Sequence, residues 1–138
     1  MKKDKIEIFK SASVIDTHAH VVLEETEKSA GALGPEMLFD GQTPVYRIGD
    51  YHLKGVNYKN TAFMDPKIRI DKMDEANIDL QVLTPNPLTY FHYSEKDLSI
   101  NFSKKHNDSL SYHINYAPSR LVGMANLPLQ DPSASVDE

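Results

Sequence analysis

The chain has 138 residues, 20 acidic and 15 basic side chains, a formal net charge of −5, and six histidines but no cysteine or tryptophan. That length fits a single domain able to bury about 68% of its unfolded surface, and 40% hydrophobic with 25% charged residues is ordinary globular composition. Without cysteine there is no disulfide scaffold, thiolate nucleophile or Cys-ligated metal, so any bound metal must rest on His, Asp, Glu or water. The acidic balance, with no Lys/Arg run among aromatics, excludes a nucleic-acid partner. The lysine-led start, MKKDKIEIFK, lacks the apolar stretch of about 7–15 residues that a leader peptide needs. No run reaches the roughly 20 apolar residues of a membrane span, which leaves no membrane partner and predicts a cytoplasmic chain.

The first predicted strand is Ser13–Val22, SVIDTHAHVV. Residues 23–64 then make a connection too long for an ordinary loop between a strand and its helix. Within it, Val45–Ile48 and Tyr51–Leu53 flank Gly49-Asp50, a hairpin signal. A helix follows over Pro66–Ala76, with Asp65 as its N-cap, Pro66 in its first turn and Asn77 suited to the left-handed residue that closes it. Ile78–Thr84 is the second strand, with Ile78, Leu80 and Val82 alternating. Ser94–Ala117 is the long helix: Ser94 and Asp97 have capping-box spacing, and Leu98, Phe102, Leu110 and Ile114 form one apolar stripe. Leu121–Leu129 is the third strand. Asp131-Pro132 then opens another helix, and the chain stops about two turns in, as a truncated sequence would. The alternation of strand and helix predicts an α/β fold with parallel strands and right-handed crossovers.

Asp16-Thr17-His18-Ala19-His20 occupies the end of the first strand. Strict alternation puts Asp16, His18 and His20 on one face, where two imidazoles can converge on one ion at about 2.0–2.1 Å each. The bland reading is a pair of solvent-exposed loop histidines. Asp16 is open to ligation, to orienting a histidine, or to accepting backbone hydrogen bonds. His106 and His113 fall near the apolar stripe of the long helix and read as packing residues. His52 reads as a solvated loop histidine, and His92 lies near the mouth beyond the second strand. Asn86, between Pro85 and Pro87, either shapes its loop or touches substrate. Phosphate-binding glycine loops and the G-x-S-x-G serine motif are absent.

VIDTHAHVV, FMDPKIRIDKMDEANIDLQVLTPNP, the HND of His106–Asp108 and RLVGMANLPLQDP, taken in order, resemble the amidohydrolase-related family. Within it they are similar to the branch containing 2-amino-3-carboxymuconate 6-semialdehyde decarboxylase. The resemblance runs from about Val14 to Asp131. It implies the N-terminal portion, about three βα units, of a metal-dependent (β/α)8 barrel, a fold of about 250 residues, with residues 1–138 as one incomplete domain. It implies a carboxy-lyase acting on an unsaturated or aromatic carboxylic acid, or a hydrolase on the same scaffold. His18 and His20 match the family's first metal ligands, with zinc the expected ion. Two further histidines and an aspartate, together with the catalytic groups, are expected from later strands. Arg47, in PVYRIGDY, matches the family's carboxylate-binding arginine, and a guanidinium suits that task; a surface arginine on a hairpin is the alternative. The partners expected are a small-molecule carboxylate substrate and either further copies in a homo-oligomer or a missing C-terminal half; the alternative is a catalytically silent fragment or one half of a split enzyme.

Overall fold

The computed structural model describes residues 2–138, with side chains from Glu7 onward. The lysine-led N-terminal stretch, read from its sequence as no leader, therefore lies partly outside the described residues. A helix, α1 (Lys2–Ser11), precedes the first strand, although the sequence pattern predicts no element there. Strand β1 (Ile15–Val21) follows, then β2 (Glu36–Asp40), β3 (Thr43–Ile48) and β4 (Tyr51–Lys54). Helix α2 (Pro66–Glu75), strand β5 (Leu80–Pro85), helix α3 (Lys96–Ile114), strand β6 (Leu121–Gly123) and helix α4 (Pro132–Asp137) complete the chain.

Two three-stranded sheets result, a parallel one in the order β1-β5-β6 and an antiparallel one in the order β2-β3-β4. The parallel sheet is the α/β frame expected, with α2 and α3 as the connections between its strands. Ala19 and Val21 of β1, and Leu23 just beyond it, pack with Leu83, Leu121, Met73 of α2 and Leu110 of α3. This cluster glues the helices to one sheet face, the burial pattern of a parallel strand covered by its crossovers. Gly123 permits the closest approach, since a Cβ there would lie 3.0 Å from Leu110 side-chain atoms.

The polar punctuation of α2 behaves as its residues predict. Asp65 accepts from the backbone N–H groups of Lys67 and Ile68, and Asn77 takes a positive φ of 55° just past the helix. The α3 start differs. Its N-cap is Glu95, which makes no side-chain cap bond, because the Ser94 hydroxyl donates to the carbonyls of Phe91 and Glu95 instead. The third strand is also shorter than its apolar run, ending at Gly123. Beyond it Asn126 is pulled out of any ladder: its N–H donates to Asn107 Oδ1 at 2.7 Å, its amide to the Thr89 carbonyl, and its carbonyl accepts from Asn107. Asp131 caps α4 by accepting the Ala134 N–H.

The 23–64 connection holds more than the predicted hairpin. Strand β2 pairs antiparallel with β3 over Glu36–Asp40, so the insertion is a sheet with its own buried residues. Tyr46, Ile48, Tyr58, Phe91 and Phe102 cluster there with Val22 and Ala30. Tyr46 stacks edge-to-face on Tyr58 with ring centroids 4.9 Å apart, and burial, with Tyr58 beside it, raises its hydroxyl pKa. Among the described residues no helix is long and apolar enough to cross a membrane.

His106 and His113 are buried on α3, as packing residues. His106 Nδ1 and His113 Nε2 have no hydrogen-bond partner among the described residues. Burial pushes both imidazoles down to about 4, with Arg69 adding to the effect at His113 and Asp65 opposing it.

Two outcomes follow from these contacts. Asp65→Ala should cost about 1 kcal/mol of stability by removing the α2 cap, read as a shift in the urea midpoint at constant slope. The buried histidines stay neutral in the folded chain but take up protons near pH 6.5 when unfolded. Stability is therefore fully present above about pH 6.5 and falls as the pH drops towards about 4. His106→Leu should reduce that slope in thermal melts across the acid range; an unchanged slope would assign it to other groups.

Candidate metal centre

The site is built on an irregularity of β1. Ile15 pairs with Leu80 and Asp16 with Gln81, but Ala19 pairs with Leu83, so β1 carries one more residue than β5 over this interval. The extra residue makes a bulge, and bulges re-aim side chains. Asp16 shares the face of Gln81 and Ala19, towards the helices, while His18 and His20 share the opposite face. The strict alternation that would put Asp16 beside both histidines is thus broken by the bulge.

The two histidines come together. Their ring centroids are 4.9 Å apart with the planes at 77°. His18 is exposed and His20 half-buried. His20 Nδ1 lies 3.1 Å from the Pro85 carbonyl and 2.8 Å from Thr84 Oγ1. The Thr84 hydroxyl donates to the Ala19 carbonyl at 3.2 Å, so its oxygen and the Pro85 carbonyl both act as acceptors towards Nδ1–H. That tautomer leaves the His20 Nε2 lone pair free, which is how a metal-ligating histidine is held from behind. The pair therefore fits a metal as two of its ligands. Among the described residues, no group of three or more His, Asp or Glu side chains is placed to hold an ion.

Asp16 does not orient a ring. One carboxylate oxygen accepts the His18 backbone N–H at 3.0 Å and the other accepts Gln81 Nε2 at 2.7 Å. These two bonds, the backbone one foremost, keep its pKa below the usual carboxylate range against the effect of burial. Gln81 Oε1 in turn accepts from Arg69 Nη1 at 2.7 Å, and Arg69 Nη2 donates to the His20 carbonyl at 2.8 Å. Arg69 is only 5% exposed, and burial brings its pKa down to about 10, with Asp16 acting the other way. Sequence reading missed Arg69 and Gln81, because a lone arginine in a polar helix carries no periodic signal of burial.

Arg47 lies on β3, in the antiparallel sheet, whereas the histidines lie on the parallel one. Its guanidinium pairs with Glu36 of β2, Nη2 at 2.7 Å and Nε at 2.8 Å, and Nη1 donates to the carbonyls of Ala32 and Gly49. Asn86 accepts the Leu88 N–H and shapes its own loop. His52 is exposed, with Nδ1 3.0 Å from the Asp50 carbonyl. His92 is exposed and stacks on Tyr90 at 5.3 Å. A cavity of about 590 Å³ opens elsewhere, between the connection after β1 and the end of α3, lined by Leu23, Lys59, Met64, Tyr112, His113 and Tyr116 among others.

No family model matches the chain. It is 26% identical over 74 residues to the 2-amino-3-carboxymuconate-6-semialdehyde decarboxylase of Dictyostelium discoideum, covering 54% of this chain and 21% of that protein. It is 35% identical over 71 residues to the gamma-resorcylate decarboxylase of Rhodococcus jostii (strain RHA1), covering 51% of this chain and 22% of that protein. The matches thus span about a fifth of the length of these curated relatives. Among solved structures, the IDCase of Metarhizium anisopliae aligns over 93% of this chain and 38% of its own, with a TM-score of 0.67 at 15% identity. The dihydroxybenzoic acid decarboxylase of Polaromonas sp. JS666, solved with manganese and the inhibitor 2-nitroresorcinol, aligns over 90% of this chain and 32% of its own, with a TM-score of 0.57 at 21% identity. The mixed α/β fold therefore superposes on about a third of these larger structures.

The ion pair at Arg47 carries a direct outcome. Arg47→Met should destabilise the chain by about 1.5–3 kcal/mol, the range for a hydrogen bond to a charged group. Denaturant unfolding would read this, and a loss below about 0.5 kcal/mol would remove the guanidinium as the tie between β2 and β3.

Proposed function

From the partial homology of this chain to the N-terminal part of the amidohydrolase-related decarboxylases, we propose that it forms the metal-binding opening of a carboxy-lyase for an aromatic or unsaturated carboxylic acid. The observation that carries this reading is the convergence of His18 and His20 at the end of β1, with His20 Nδ1 engaged from behind. The whole barrel, its two further histidines and its aspartate belong to residues beyond those described, supplied by a longer chain or by a separate C-terminal half. The Polaromonas relative holds manganese; zinc is our expectation here, since imidazole ligands suit it.

A divalent ion held there would polarise a substrate oxygen and acidify bound water. This chain's own residues contribute the rest of what we assign. His18 and His20 present ring nitrogens. Thr84 and the Pro85 carbonyl hold the His20 proton on Nδ1, away from the ion. Arg47 serves as the substrate carboxylate contact in this proposal, and to do so it exchanges Glu36, whose Oε2 accepts from both Nε and Nη2, for the incoming carboxylate.

The test begins with the native locus read through the codon for Glu138. A continuing or neighbouring frame that supplies two histidines and an aspartate yields the complete protein. That protein, loaded with zinc or manganese, should release CO₂ from a panel of dihydroxybenzoates and unsaturated amino acids. His18→Ala should cut the rate by about a hundredfold or more, and Arg47→Lys should raise KM with kcat less affected. Product formation without CO₂ would move the protein to the hydrolases, and an unchanged KM would remove Arg47 from the site.

A further inference from the structure

Between Asp16 and Ala19 the β1–β5 ladder lapses and resumes at Ala19 and His20, so the backbone at Thr17 and His18 is not held by ordinary strand pairing. Something else must fix it. On the helix side of the sheet, the His20 carbonyl accepts Arg69 Nη2, Arg69 Nη1 donates to Gln81 Oε1, Gln81 Nε2 donates to Asp16 Oδ2, and Asp16 Oδ1 accepts the His18 N–H. The four bonds measure 2.8, 2.7, 2.7 and 3.0 Å in that order. They form a clamp that grips the His18-Ala19-His20 tripeptide at its first N–H and its last carbonyl, behind the face that bears the rings.

We propose that Arg69 and Gln81 are positioning residues for the His18–His20 pair, holding the β1 bulge in the geometry that aims both imidazoles at one ion. The inference rests on the reading of His18 and His20 as metal ligands. Gln81 suits its place because it must accept from a guanidinium and donate to a carboxylate at once, which neither Glu nor Leu can do. Arg69 suits its place because two separate nitrogens of one planar group reach two acceptors. Among the described residues its Nε has no partner and no carboxylate pairs with it directly; Asp16 balances its charge through Gln81. Burying a cation is costly, and a positive charge behind a metal site opposes the ion. Charge alone would therefore make Arg69 harmful to metal binding, and geometry alone would make it helpful. The two effects have opposite signs, which makes the proposal testable.

The experiment compares this chain with Arg69→Met, Arg69→Lys and Gln81→Leu by amide hydrogen exchange without metal and by calorimetric titration with zinc chloride. Protection of Leu83 in β5 reports that each variant is folded. In the absence of metal, the His18 amide should exchange about tenfold faster or more in Arg69→Met and Gln81→Leu than in the unaltered chain, with Leu83 unchanged. Zinc binding that depends on His18 should weaken by about tenfold to a hundredfold in both variants, the usual cost of losing an outer-shell partner. Arg69→Lys should recover part of the loss by keeping one donor to the His20 carbonyl. Equal His18 protection in folded variants, or zinc binding that is unchanged or tighter in Arg69→Met, overturns the proposal. Should Arg69→Met lose Leu83 protection, Gln81→Leu decides by the same criteria. Should neither the unaltered chain nor the completed protein show His18-dependent zinc binding, the metal reading fails, and the exchange measurement alone still upholds or overturns the clamp.

Discussion

One extra residue in β1 governs much of what surrounds it. Parallel strands β1 and β5 match residue for residue at Ile15 and Asp16, slip by one, and match again from Ala19 to Val21. The slip lets the strand satisfy two demands at once. Ala19, Val21 and Leu23 continue the apolar face that binds α2 and α3, while Asp16 turns to that same face to meet Gln81. His18 and His20 are left on the other side with their rings in contact. A regular strand would have placed the Asp16 carboxylate beside the two rings and taken from Gln81 Nε2 its acceptor at the sheet's back.

The sheet's other end is tied by a different arginine. Arg120 donates to the carbonyls of Asp79 and Ile78 and to the Asp74 carboxylate, while Asp79 accepts the N–H groups of Ser13 and Val14. These contacts join the entries of β1, β5 and β6 where the chain crosses from helix to strand. Arg69 acts near the strand ends from which function is built, and Arg120 near the strand starts. The buried Arg69 depends on exact acceptors; the more exposed Arg120 leans largely on backbone carbonyls, which any sequence would offer.

The elements that were legible in the sequence are those whose signals are local or periodic. Asp65-Pro66 marks the start of α2, Asn77 its end, and Leu80 and Val82 the core of β5. The histidine pair was legible by spacing alone, because residues two apart on a strand meet whether or not a bulge precedes them. What was hidden depends on partners far away in sequence. The bulge is a mismatch of two strands some 65 positions apart, and neither strand shows it alone. Strand β2 needs β3 beside it, and its own residues, EMLFD, are too few for a period to emerge. The apolar run after Gly123 reads as strand until the Asn126–Asn107 bonds draw it away. Arg69 and Gln81 gave no signal because polarity, not partnership, is what a sequence displays.

The antiparallel sheet that interrupts the connection after β1 has its own aromatic interior and its own Arg47–Glu36 tie. It meets the rest of the chain through Val22, Phe91 and Phe102, at the rim where β1 and β5 run out. It can therefore accumulate substitutions, or change its length, without disturbing the strand pairing that carries the histidines. A scaffold divided this way lets the ground beneath the histidine pair stay constant while the neighbouring sheet is free to diverge.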